Sequence, residues 1–143
     1  MATLKPGASA VIAAWPSIRN SHAGDLQSLG SLYRDAFPEE PLFPLVDALM
    51  RLEAGVLPLT ALADGQVVGH LVLTDCALEG CPAPVALLGP LAVAPAWQRR
   101  GVGTALVEAA IQRLCQTGTA AIYVLGDPRY YRRFGFGQET TVL

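Results

Sequence analysis

A chain of 143 residues with 52% hydrophobic and 15% charged side chains has enough apolar mass for one buried core and too little charge for a disordered state. Its net charge of −2 offers no attraction to nucleic-acid phosphates or an anionic membrane surface, and no apolar run approaches a membrane span, so neither partner is expected. Cys76, Cys81 and Cys115 include no CxxC pair and have no ligand spacing to His22 or His70, which excludes a zinc site, metal of that kind or a disulfide scaffold from the expectation. Reduced, mostly buried thiols in a cytoplasmic protein are the simpler reading.

Residues 1–17 carry one lysine, no acid and no long apolar core, and read as a loose extension ahead of a single domain over 18–143. Leu26, Leu29, Leu32, Tyr33 and Phe37 recur at helical spacing and predict a first amphipathic helix from Asp25 to Phe37. A second helix is expected from Phe43 to Ala54, with Leu45, Val46, Leu49 and Met50 inward and Gly55 as its stop. Residues 59–63 and 66–74 then flank Asp64-Gly65, a pair suited to the positive φ angles of a type I′ hairpin turn. After a turn marked by Gly80 and Pro82, a third strand runs from Val85 to Val93. It contains Gly89-Pro90, and a proline that cannot donate to the ladder predicts a bulge or a parting of strands there. Thr104 to Gln116 is expected as a long helix with Val107, Ala110, Ile111 and Leu114 inward, followed by a short buried strand over 120–125 and a brief helix opened by Asp127-Pro128. The order predicts an α/β (α+β) fold with a mixed, mostly antiparallel sheet covered by helices on both faces.

The segment Leu91-Ala92-Val93-Ala94-Pro95-Ala96-Trp97-Gln98-Arg99-Arg100-Gly101-Val102-Gly103-Thr104 carries the chemistry. A buried strand leaves the sheet, passes two cations and enters a helix across Gly101 and Gly103. Amides in a first helical turn lack backbone partners and carry the positive end of the helix dipole. Glycines let a bulky anion approach that backbone closely, so the segment is a phosphate cradle. The GxxxxGK[ST] spacing of a P-loop is absent. A dinucleotide fingerprint would need glycine where Leu106 stands and an acid about 20 residues on, where Tyr123 lies.

Gln98-Arg99-Arg100-Gly101-Val102-Gly103, between a strand and an amphipathic helix, resembles the acetyl-CoA signature Q/R-x-x-G-x-G/A of the GNAT acetyltransferases. Leu125-Gly126-Asp127-Pro128-Arg129-Tyr130-Tyr131-Arg132-Arg133-Phe134-Gly135-Phe136 is similar to that family's last helix in its YhbS-like branch, and Ile18-Arg19 with the following helix is similar to its opening. The resemblance spans residues 18–136. It implies the acyl-CoA N-acyltransferase fold, in which the fourth strand bulges and splays from the fifth to receive pantetheine. It further implies that backbone groups of Leu91, Ala92 and Val93 pair with that arm, that Gln98, Arg99, Arg100, Gly101, Val102, Gly103 and Thr104 form the diphosphate site, and that Tyr131 protonates the departing thiolate. Acetyl-CoA is the implied cosubstrate and a primary amine of a small molecule or peptide the implied acceptor, attacked without a metal.

Two departures qualify what the resemblance implies. Many relatives carry a glutamate on the fourth strand, but residues 86–90 hold no carboxylate, leaving Glu53, Asp75 and Glu79 as alternative bases; His70, among apolar neighbours, reads as a satisfied structural histidine. Relatives also continue with more strand after Phe136, whereas seven residues remain here, so the C-terminal strands are expected to be incomplete and the exposed edge to favour a homodimer. A catalytically silent acyl-CoA-binding or regulatory module is the competing reading.

Overall fold

The computed structural model describes residues 15–76, 85–119 and 121–124. In chain order these form β1 (Ser17–Asn20), a 3₁₀ turn (Ala23–Asp25), α1 (Leu26–Ala36), α2 (Phe43–Met50), β2 (Val56–Ala63), β3 (Gln66–Cys76), β4 (Val85–Val93), a second 3₁₀ turn (Pro95–Trp97), α3 (Val102–Cys115) and β5 (Ala121–Val124). The sheet has strand order β1-β2-β3-β4-β5, antiparallel from β1 to β4 and parallel between β4 and β5. A mixed, mostly antiparallel sheet flanked by helices is therefore the architecture.

Period-two alternation along β3 assigns the helices to opposite faces. Gly69 lies under Val102 and Leu106 of α3, whereas the next residue, His70, reaches Tyr33 of α1. On the α3 face, Leu59, Ala61, Leu71, Leu73 and Leu88 of the sheet close over Val102, Leu106, Val107 and Ala110. On the other face, Leu29, Leu32 and Tyr33 of α1 pack with Val46 of α2 and Ala92 of β4. The hairpin turn is as its residues require, with Asp64 at φ 51° and Gly65 at φ 76°.

Several boundaries differ from the sequence reading, among them β2, which starts at Val56 rather than Leu59, and β3, which runs on to Cys76. α2 ends at Met50, and Leu45 points outward at 49% exposure, because a helix of eight residues presents a narrow inward stripe centred on buried Val46. α3 begins two residues earlier than expected, at Val102, which brings Val102 and Leu106 into the core and the glycines into the helix entrance. Pairing in the sheet also reaches back to Ser17, inside the expected extension. Cys115, on the last turn of α3, is exposed rather than buried.

The entry into α1 is fixed by charge. Arg19 of β1 donates through both terminal nitrogens to Asp25, at 2.8 and 2.9 Å, and the His22 amide donates to the same carboxylate at 2.9 Å. The guanidinium is the main cause that holds the Asp25 carboxyl down at about 2.

Candidate functional site

The site grows from the bulge in β4. Leu71 of β3 opposes Leu91, but Leu73 opposes Leu88, so two steps on β3 match three on β4. The extra residue falls at Gly89-Pro90, as the proline predicts; Gly89 has φ 149° and the peptide bond to Pro90 is cis. On its other edge β4 pairs with β5 from Val85↔Ala121 to Leu88↔Val124, the last described residue of β5. Beyond the bulge, Leu91, Ala92 and Val93 keep their partners on β3, while their outer edge has no strand partner among the described residues. An extended ligand with amide groups could add itself there by backbone pairing.

From Val93 the chain turns through Pro95–Trp97 into the cradle. Arg99 takes a left-handed conformation at φ 64° and Gly101 another at φ 89°. A non-glycine residue held there is strained, and such strain concentrates at functional sites. Alternation with a left-handed residue makes successive amides converge into an anion-binding concavity. The first helical rung of α3 runs from the Ala105 amide to the Gly101 carbonyl at 3.0 Å. The amides of Val102, Gly103 and Thr104 precede that rung and have no carbonyl inside the helix to satisfy them. A diphosphate therefore fits this backbone, and an acyl-CoA cofactor fits both halves of the site. Arg99, Gly101 and Thr104 are exposed, whereas Val102 and Gly103 are buried and anchor the helix end.

Two of the expected ligand side chains have other work. Gln98 turns back and donates through Nε2 to the Val93 carbonyl at 3.0 Å, tying the strand end to the cradle. The Arg100 guanidinium lies over the Trp97 ring, 5.3 Å from its centroid. An anion held at this turn would meet mainly backbone amides, with the exposed Arg99 and Arg100 nearby. Behind it, Gly69 supplies clearance that the sequence motif does not reveal: a Cβ there would lie 2.9 Å from both Leu106 Cδ1 and Val102 Cγ1.

Of the alternative bases, Asp75 pairs with Ala86 near the far end of β4, about 14 Å along the strand from Leu71 and Leu91 at four residues of rise. Glu53 is exposed after α2. Glu79, Tyr131 with the rest of the expected last helix, and the cations Arg129, Arg132 and Arg133 lie outside the described residues. His70 meets half of its expectation. It is fully buried, Nδ1 lies 2.8 Å from the Tyr33 hydroxyl, and Nε2 has no hydrogen-bond partner among the described residues. Burial holds the ring at about 4, so it is neutral at physiological pH. Beside α1, Gly30, Tyr33, Arg34, Glu40, Leu42 and Phe43 border a shallow, mainly apolar cleft. No helix among the described residues is long and apolar enough to cross a membrane, and no group of three or more potential metal ligands comes together among them.

Comparison with known proteins agrees with this geometry. The model of the acetyltransferase (GNAT) family matches residues 24–136. The chain is 38% identical over 96 residues to the uncharacterized N-acetyltransferase YjhQ of Escherichia coli K12, covering 64% of this chain and 53% of that protein. It is 32% identical over 115 residues to the uncharacterized N-acetyltransferase YhbS of the same strain, covering 78% of this chain and 68% of YhbS. The chain thus spans about half the length of YjhQ and about two thirds of YhbS. Among solved structures, a GNAT family acetyltransferase from Brucella melitensis in complex with acetyl-CoA superposes with a TM-score of 0.78 at 33% identity, covering 87% of this chain and 84% of that one. The match over most of the chain, with a bulged strand leading into a helix entered across glycines, leads to one assignment: the chain belongs to the GNAT acetyltransferase family.

Proposed function

We propose that this chain transfers an acetyl group from acetyl-CoA to a primary amine of a small molecule or peptide by direct attack. The observation that carries the reading is the outer edge of Leu91–Val93, without a strand partner among the described residues, leading into the backbone turn at 99–104. In this reading the edge pairs with the pantetheine amides and the cradle amides hold the diphosphate. Amide groups of the same strand segment polarise the thioester carbonyl and stabilise the oxyanion. The amine nitrogen attacks the carbonyl carbon, the tetrahedral intermediate expels the thiolate, and Tyr131 gives that thiolate its proton. A phenol near pKa 10 is matched closely enough to an alkyl thiolate for this transfer. The attacking nitrogen loses its extra proton to water or to a carboxylate on the acceptor side.

The test is release of free thiol from acetyl-CoA over a panel of amines, amino acids, aminoglycosides and peptides, with calorimetry of coenzyme A and acetyl-CoA alongside. Turnover with at least one amine is expected. Binding without thiol release on any amine would favour the silent acyl-CoA-binding module, a reading supported by the absence of a carboxylate from residues 86–90. No binding of either cofactor form would remove both readings.

A further inference from the structure

We infer that Trp15 is a cofactor-contacting residue whose indole forms the wall of the cradle against which the adenosine end of coenzyme A rests. The inference rests on the acetyl-CoA reading above and adds to it a residue outside the glycine signature. The Trp15 Cη2 atom lies 3.4 Å from the position a Cβ on Gly101 would take, so the indole edge touches the N-cap of α3. The ring nevertheless remains 50% exposed, an unfavourable place for a large apolar surface.

This placement is set by the fold. Trp15 stands two residues before the first β1 pair, Ser17↔Leu62, and at the other end of β1 Asn20 Oδ1 accepts from the Arg113 guanidinium of α3. The five steps from Trp15 to Asn20 span about 17 Å when extended and the twelve steps from Gly101 to Arg113 about 18 Å at helical rise, so the Trp15–Gly101 and Asn20–Arg113 contacts match in spacing. β1 is the edge strand three positions from β4. Trp15 therefore flanks the cradle on the side away from the opening beside β4. A cofactor with its diphosphate on the cradle and its arm toward that opening carries its nucleoside on the opposite side. There it meets a half-exposed indole, a surface on which a purine gains stacking energy. The chain's other tryptophan, Trp97, already carries Arg100 on its ring.

Calorimetry of the full chain with acetyl-CoA and with acetyl-4′-phosphopantetheine, which lacks adenosine, tests the assignment. Trp15→Ala should weaken acetyl-CoA about 5- to 30-fold, Trp15→Phe by less than about 3-fold, and neither should alter the adenosine-free ligand by more than about 2-fold. A second measurement does not depend on the alanine variant folding. In Trp97→Phe the remaining indole is Trp15, and acetyl-CoA should quench its emission while acetyl-4′-phosphopantetheine does not. Equal acetyl-CoA affinity in wild type and Trp15→Ala, tighter binding in the variant, or emission blind to acetyl-CoA would each overturn the role of Trp15. Wild-type protein that binds no acetyl-CoA would instead overturn the cofactor reading itself.

Discussion

Replacing Gly69 by alanine tests whether the cradle is positioned by what the sheet leaves out. The added Cβ would lie 2.9 Å from Leu106 Cδ1 and 2.9 Å from Val102 Cγ1. Carbon pairs settle at about 3.5–4.0 Å, so two contacts fall short by about 0.6–1.1 Å. Val102 and Leu106 are 1% and 0% exposed and cannot swing into solvent. The entrance of α3 must lift or both side chains must leave their rotamers, at a cost of about 1–3 kcal/mol. For a domain of this size that is a fall in Tm of about 3–10 °C. Since Val102 opens α3, the same displacement moves the cradle amides relative to Leu91–Val93, and coenzyme A affinity should fall about tenfold as well. Thermal unfolding and calorimetry read the two effects. Val102→Ala in the Gly69→Ala background should recover part of both, with a coupling of about 1 kcal/mol in the double-mutant cycle. A variant that unfolds and binds like wild type would refute the claim that α3 is seated on this glycine.

The remaining predictions address charge, the cradle and the chemistry. His70 is held at about 4 by burial, below its ordinary 6.5; the neutral ring favours the folded state, so stability is full above about pH 6.5 and declines toward pH 4 by up to about 3 kcal/mol, a slope that His70→Phe should flatten in urea titrations. Asp25 is held at about 2, so its contribution is present above about pH 4 and is lost as pH falls to 2; with Arg19 partly exposed it is worth about 1–2 kcal/mol, and Asp25→Asn should remove that acid transition. Gly101→Val puts a β-branched residue at φ 89° against Trp15 and should weaken coenzyme A more than about tenfold by calorimetry, while far-ultraviolet circular dichroism stays that of wild type. Tyr131→Phe should lower kcat by about 10²–10⁴-fold with little change in cofactor affinity, and unchanged turnover would remove its acid role.

The parts of the fold legible in the sequence are those in which one residue type forces one backbone geometry. Asp64-Gly65 required a tight turn and makes one; Gly89-Pro90 could not continue a ladder and sits at the bulge. Apolar periodicity located α1 and α3 because each buries a continuous stripe. It misplaced Leu45, since a hydrophobic pattern states which side chains can be buried and α2 is too short to bury them all. Gly69 escaped notice for a related reason. Inside a strand it resembles a weak point, and its use becomes visible only when α3 is laid across it. The short β1 and Trp15 were masked by a segment whose composition reads as loose, although pairing with β2 orders it from Ser17.

The same contrast explains why a cofactor site can be proposed from the sequence while an acceptor site cannot. Recognition of a diphosphate by amides needs positive φ angles and close approach, and glycine supplies both, so it leaves a signature in the sequence. Two side-chain contacts bear on the proposed cradle. Gln98 spends its side chain on the Val93 carbonyl and Arg100 spends its guanidinium on Trp97, so neither serves as a dedicated clamp. Arg99, meanwhile, shapes the proposed cradle through its left-handed backbone, at φ 64°. Affinity in such a cradle depends on angles more than on side chains. Substitutions at Gly101 should therefore cost more cofactor binding than neutralising Arg99 or Arg100, whose exposed charges act through solvent. Acceptor recognition draws on side chains of any type around a cleft, and physical chemistry imposes no fixed spacing on them.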